Sequence, residues 1–220
     1  MADASHQLRT PLTALRLSLD NIADGVDDES VREDVEQATA EVVRMSRLVN
    51  GLLVLARAEA KVTAAEPLPL AEIVAERLTV WRPAADERGV TIALGGSGVG
   101  GRPSVLAGPG HLDQVLDNVL SNALEVSPDG GTITVRVESG AGEAVLSVAD
   151  EGPGMPDADK ARAFDRFWRG QGLTGRSGSG LGLAVVRQLV TDDGGTVVLA
   201  DAPGGGLCVR ITLRTAPPAG

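Results

Sequence analysis

The sequence predicts an α + α/β chain, an antiparallel helical hairpin followed by an α/β domain. Three features of the sequence point there. Apolar residues recur in alternating steps of four and three over two stretches: Leu8, Leu12, Leu15, Leu19 and Ile22, then Val31, Val35, Ala38, Val42, Met45, Val49 and Leu52. That spacing is a helical seam of about 3.5 residues per turn. The pattern stops across 61–67, where proline enters, and beyond it helix-length and strand-length apolar segments alternate. We therefore expect a helical unit over 1–62, a linker over 63–67 and a second domain over 68–215.

Composition narrows the function classes. The 220 residues are 43% hydrophobic but only 2% aromatic, so the core is aliphatic and large enough for two modest domains. The formal net charge of −10 argues against a nucleic-acid surface and against a polybasic membrane patch. A protein or a metal-bound nucleotide is the more natural partner. Cys208 is the single cysteine, which excludes an internal disulfide and, between Leu207 and Val209, reads as a buried strand thiol. The longest apolar run, 52–56, falls far short of the roughly 20 residues that span a bilayer. There are no internal repeats, metal-ligand clusters or serine triad in the sequence.

Each element has a local reason. Residues 23–30 form a helix-to-helix turn, with Gly25 suited to a C-terminal cap and the acids suited to the next helix start. Two heptad helices joined so closely leave much of each seam wet, and a second copy would cover it as a four-helix bundle. A helix over 70–87 and a strand over 90–94 follow. The loop 95–101 is glycine-rich without a phosphate-loop lysine, so it reads as a hairpin connection. In the next helix Asn118 and Asn122 stand one turn apart and share a face, while Val115, Leu116, Val119 and Leu120 supply packing. His111, just ahead of them, reads as a surface residue. Strands over 132–138 and 144–149 lead to Asp150-Glu151-Gly152-Pro153-Gly154. A strand-end aspartate can accept a hydrogen bond from an adenine amino group, and glycines let backbone approach a ligand. Residues 170–179 are short, polar and glycine-rich, as a closing lid needs to be. Gly180, Leu181 and Gly182 open a helix through about 190 whose free N–H groups can hold phosphate oxygens. Strands over 196–200 and 206–213 close the domain.

His6 lies off the first helical seam, in Ser5-His6-Gln7-Leu8-Arg9-Thr10-Pro11-Leu12. An exposed imidazole with a pKa near 6.5 offers a neutral nitrogen as nucleophile. The string resembles the phosphoacceptor box of two-component sensor histidine kinases. Asn118 and Asn122 resemble that family's asparagine box, Asp150 to Gly154 its first glycine box, 164–169 its phenylalanine-rich box and 178–183 its second glycine box. They occur in family order over nearly the whole chain. A dinucleotide fold is disfavoured because Gly180-Leu181-Gly182 falls late and outside a βαβ unit.

The resemblance implies an α/β sandwich ATP-binding domain of the Bergerat type behind a dimerising phosphoacceptor hairpin. It implies ATP and Mg2+ as cofactors, a homodimer, and a response regulator receiver domain as partner. It makes His6 the phosphoacceptor, gives Gln7 the place of the residue that orients the imidazole, and gives Thr10 a part in removing phosphate from the partner. Asn118 would organise the phosphates, Asn122 would ligate the metal, and Asp150, Gly152, Gly154, Arg169, Gly178, Gly180, Leu181 and Gly182 would line the nucleotide site. Two positions depart from the pattern. Gln7 replaces an acid, so it accepts a hydrogen bond without charge, and slower self-phosphorylation follows. Glu125-Val126 stands where Lys-Tyr is common, and exchanging a phosphate-contacting cation for a carboxylate weakens binding by about 1–3 kcal/mol unless Arg166, Arg169 or Arg176 compensates. These departures keep open a phosphatase-dominant protein or a degenerate dimeric scaffold.

The first helix starts only a few residues before His6, so we expect a cytoplasmic fragment of a longer, membrane-anchored receptor. Extending the chain upstream should raise its melting temperature or tighten its dimer, read by thermal denaturation and sedimentation; no change in either would count against the expectation.

Overall fold

The computed structural model describes residues 65–95, 103–140, 142–168 and 180–217, together with part of the positions between 12 and 51. In the amino-terminal part the described positions 12–15, 17–19 and 22–23, and all the described positions from 30 to 51, are helical. Asp28 starts the second helical stretch as an N-cap does. Its Oδ1 accepts from the Ser30 backbone N–H at 2.9 Å and from the Ser30 hydroxyl at 2.8 Å, and these bonds hold its carboxyl below the usual range. Val35 and Val42, one heptad apart, are buried, whereas Leu15, Ile22, Val31 and Met45 of the same seams are exposed in the single chain.

The second domain begins with strand β1 (Glu66–Pro69) and helix α1 (Leu70–Asp86), followed by β2 (Thr91–Leu94), β3 (Ser104–Ala107) and helix α2 (His111–Val126). Strands β4 (Thr132–Gly140) and β5 (Glu143–Ala149), a short helix α3 (Asp157–Lys160), helix α4 (Gly182–Asp192) and strands β6 (Thr196–Asp201) and β7 (Leu207–Arg214) complete it. Five strands form one sheet in the order β2-β4-β5-β7-β6. Only β2 and β4 are parallel; the rest pair antiparallel.

Alternation along the strands builds two faces. Ile133 and Val135 of β4, Leu146 and Val148 of β5, and Val209, Ile211 and Leu213 of β7 join one cluster with the apolar sides of α1, α2 and α4. In the opposite register Arg136, Ser147 and Arg210 lie side by side across the sheet and turn away from that core. This is the expected α/β sandwich, helices over one face of a mixed sheet. On α2 the apolar positions Leu112, Val115, Leu116, Val119, Leu120, Ala123 and Leu124 are all buried, a 3.6-residue stripe that fixes the rotation of the helix.

The loop after β2 does not connect a hairpin. β2 lies in the five-stranded sheet, whereas β3 pairs antiparallel with β1 in a separate two-stranded sheet. Glu66 and Pro67, expected in the linker, are therefore ladder residues opposite Ala107 and Leu106. Prolines hide this strand from a sequence reading, since Pro67 and Pro69 cannot donate to a ladder and are tolerated only at an edge. Cys208 is buried in β7 as expected, and burial pushes its thiol pKa up.

Leu116 is fully buried at the centre of this core. Leu116→Ala should destabilise the domain by about 2–5 kcal/mol, measured by denaturant unfolding; a loss well under about 1 kcal/mol would mean that α2 is not the packing centre.

Candidate nucleotide site

The site is assembled from α2, the loop after β5 and the start of α4. Because the apolar stripe of α2 points at the sheet, Asn118 and Asn122 fall on its flank, half-buried. Asn118 Nδ2 donates to the Gln114 carbonyl at 2.7 Å, and its Oδ1 faces Gly182. Gly182, the first residue of α4, sits directly against both amides. A Cβ there would lie 3.3 Å from Asn118 Oδ1 and from Asn122 Nδ2, and 3.4 Å from Asn122 Oδ1. Glycine at 182 is thus what lets the α4 amino-terminus, with its free N–H groups, meet the two carboxamides.

On its other flank α2 is braced by α1. Trp81 Nε1–H donates to Asp117 Oδ1 at 2.8 Å. Arg77 lies 3.5 Å from both Asp113 Oδ1 and Asp117 Oδ2. These acids occupy the face away from the asparagines, so α2 is held from two sides.

Asp150 closes the site at the end of β5. Its side chain is almost fully buried, and Oδ1 accepts from the backbone N–H of Gly152 at 2.9 Å and of Leu207 at 3.1 Å. The Asp150 N–H in turn donates to the Leu207 carbonyl at 3.0 Å. Gly206 makes this crossing possible: its φ is +87°, and a Cβ would collide with the Asp150 carbonyl. Gly152 plays a similar part against α2, since a Cβ would come within 3.0 Å of the Val126 carbonyl. Gly154, at φ +73°, faces the Gly206 carbonyl. Burial raises the Asp150 pKa, against the opposing effect of the backbone hydrogen bonds.

Gly180 and Leu181 lead into α4. Leu181 is buried in the core, and Gly180, at φ +67°, has no room for a Cβ against the Phe167 and Trp168 backbone. The Gly180 carbonyl accepts from the Phe167 N–H at 2.9 Å, and Arg187 lies 5.4 Å over the Phe164 ring. The phenylalanine-rich segment is therefore pinned to α4. Among the expected residues, Asn118, Asn122, Asp150, Gly152, Gly154, Gly180, Leu181 and Gly182 gather around one region. His6, Gln7, Thr10, Arg169 and Gly178 lie outside the described residues, as do Arg176 and the lid segment. Arg166 is exposed.

His111 is not a plain surface residue. Its Nδ1 lies 2.9 Å from Oδ1 of the buried Asp193, and this contact raises the imidazole pKa. The sequence does carry a signal for it: Asp192 and Asp193 end a helix, where the dipole disfavours negative charge and a cationic partner is needed.

Residues 107–217 match the family of histidine kinase-, DNA gyrase B- and HSP90-like ATPases, and residues 1–61 match the His kinase A phospho-acceptor domain. The chain belongs to the histidine kinases. Among histidine kinase relatives, the signal transduction histidine-protein kinase/phosphatase MprB of Mycobacterium ulcerans is 31% identical over 234 residues, covering 99% of this chain and 44% of that protein. MprB of Mycolicibacterium vanbaalenii is 34% identical, covering 100% and 47%. This histidine kinase chain thus spans less than half the length of those curated relatives. Among solved structures, full-length ShkA in complex with AMPPNP superposes with a TM-score of 0.74 at 29% identity, covering 98% of this chain and 46% of that one. The histidine kinase AdeS of Acinetobacter baumannii gives 0.65 at 25% identity, covering 96% and 98%.

The buried Asp150 yields a stability test. Its folded pKa stands above the unfolded value of 3.8, so its favourable contribution is present below that value and is lost as pH rises through the folded pKa. Asp150→Asn keeps an Oδ1 acceptor for Gly152 and Leu207 while removing the charge. Its melting temperature should equal or exceed that of the parent at pH 7 and lose this advantage near pH 3; a marked drop at pH 7 would show that the carboxylate stabilises the fold.

Proposed function

We propose that this histidine kinase chain binds ATP with magnesium, phosphorylates His6 and passes the phosphoryl group to an aspartate on a response regulator receiver domain. The reading rests above all on Gly182 seated against Asn118 and Asn122, which joins a helix amino-terminus to two carboxamides. In the reaction a ring nitrogen of His6 attacks the γ-phosphorus. The N–P bond forms, the bond to the β–γ bridging oxygen breaks, ADP leaves, and the ring proton passes to solvent. Gln7 accepts a hydrogen bond from the imidazole and so orients it without stabilising positive charge.

Asp150 reads the base through the adenine amino group, with Gly152 and Gly154 allowing close approach. The N–H groups at Gly182 and the residues after it face phosphate oxygens, which Asn118 helps to arrange, and Gly178, Gly180, Leu181 and Arg169 complete the enclosure. Asn122 offers a hard oxygen of the kind magnesium accepts, and it lies beside the amino-terminus of α4. Magnesium would neutralise charge between the phosphates. Positioning and charge neutralisation carry most of the acceleration in such transfers.

The active species is a homodimer in which a second copy covers the exposed Leu15, Ile22, Val31 and Met45. The helical phosphoacceptor unit gives way to the catalytic unit just ahead of β1, which begins at Glu66. The MprB relatives are named kinase/phosphatase, which favours a second activity here, dephosphorylation of the same partner aided by Thr10. The whole protein is membrane-anchored through segments upstream of this chain; no helix among the described residues is long and apolar enough to cross a membrane.

Incubation with γ-labelled ATP and magnesium tests the kinase reading. Acid-labile label should appear on the chain and vanish in His6→Gln, while Asp150→Asn should weaken nucleotide binding about tenfold or more. Label that survives in His6→Gln would overturn the assignment, and nucleotide binding without label would leave the phosphatase or scaffold reading.

A further inference from the structure

Helices α2 and α4 run past one another in opposite senses. At one end Gly182 of α4 meets Asn118 and Asn122 of α2. At the other, Asp193, which caps the carboxyl end of α4, meets His111, the first residue of α2. The separations along the two helices, about 10–16 Å from His111 to the asparagines and about 16 Å from Gly182 to Asp193 at 1.5 Å per residue, agree with a pair of rods touching at both ends.

The far contact is a built junction. Asp193 Oδ1 receives both the Gly108 backbone N–H, at 2.9 Å, and His111 Nδ1, at 2.9 Å. Gly108 is required there, because a Cβ would come within 2.6–2.9 Å of the imidazole ring. From β7, Arg214 Nη2 donates to the Asp193 carbonyl at 3.4 Å and lies against Gly194. One buried carboxylate thus gathers the loop before α2, the first residue of α2 and the end of α4.

We propose that His111 and Asp193 are a positioning pair that sets the α2–α4 register and thereby tunes nucleotide affinity at the opposite end of the two helices. The inference rests on the nucleotide site described under Proposed function. A helix moves as a rod, so a shift that breaks the junction is carried to the Asn118–Asn122–Gly182 contact, where the α4 backbone lies close against both carboxamides. The pair is also sensitive to pH. Its charged surroundings are Asp193 and Asp192 on α4, Arg214 on β7, and on α2 Asp113, which Arg77 of α1 engages. The Asp193 hydrogen bond favours imidazolium, so the ion pair is intact at low pH and is lost as pH rises through the elevated His111 pKa.

Calorimetric titration of the full chain with AMPPNP, a non-hydrolysable ATP analogue, from pH 6 to pH 9 tests this, beside Asp193→Asn and His111→Gln. Asparagine keeps an acceptor for Gly108 and removes the charge, so the fold is retained. Affinity of the parent should fall as pH rises, and each variant should bind about fivefold more weakly at pH 6 with the parent-to-variant ratio approaching one at pH 9. Titration of the analogue's own phosphates is shared by all three proteins and cancels in that ratio. Independently of any variant, the His111 imidazole signal should titrate at higher pH with analogue bound, because linkage is reciprocal. A constant ratio, or a His111 titration unmoved by saturating analogue, would overturn the positioning role alone. No analogue binding by the parent at any pH would overturn the nucleotide site and this inference with it.

Discussion

The stripe of seven buried apolar residues on α2 is the constraint from which the site follows. With Leu112, Val115, Leu116, Val119, Leu120, Ala123 and Leu124 committed to the sheet, the helix has no rotational freedom left, and the flank that carries Asn118 and Asn122 is directed toward α4. Full burial of one Leu or Val side chain contributes about 1.5–3 kcal/mol. A polar contact at the asparagines contributes less than that. Packing therefore fixes the direction of the amides, and their own hydrogen bonds refine it.

Two buried acids, one at the site and one at the far end of α4, run against stability on their own. Asp150 is buried with its pKa raised, and Asp193 puts negative charge at a helix carboxyl end. Each is tolerated because backbone N–H groups converge on it: Gly152 and Leu207 on Asp150, Gly108 on Asp193. Glycines recur around these acids for a single steric reason. Gly108, Gly152 and Gly206 stand where another chain segment, or the acid itself, already occupies the space a side chain would need.

Much of this was legible in the sequence, and the failures are physically specific. Long periodic segments declared themselves: α1, α2 and α4, and the strands with clean alternation, lie within a few residues of their expected positions. The asparagine pair and the Asp150 loop are weak signals taken singly, and they stood out through their resemblance, in order, to the boxes of the histidine kinases; the structure brings them into one region. Pairing partners were not legible. β1 and β3 are four residues each, β1 contains two prolines, and nothing local says that 66–69 should find 104–107 rather than that 91–94 should turn back on 104–107. His111 was misjudged for the same reason, since its partner lies 82 residues away. Long-range contacts made by one side chain leave a trace only as a local oddity, here the two acids at the end of α4.

Cys208 turns the sheet into its own reporter. The thiol is buried, its pKa is raised, and it lies in β7 next to Leu207, the residue that exchanges hydrogen bonds with Asp150, and opposite Ala149 of β5. Cys208 shares the sheet face of Arg136, Ser147 and Arg210, so a thiol-directed reagent reaches the sulfur when that end of the sheet opens locally. As no other cysteine competes, the alkylation rate of the native protein clocks the local opening of the strand end against which Asp150 is braced.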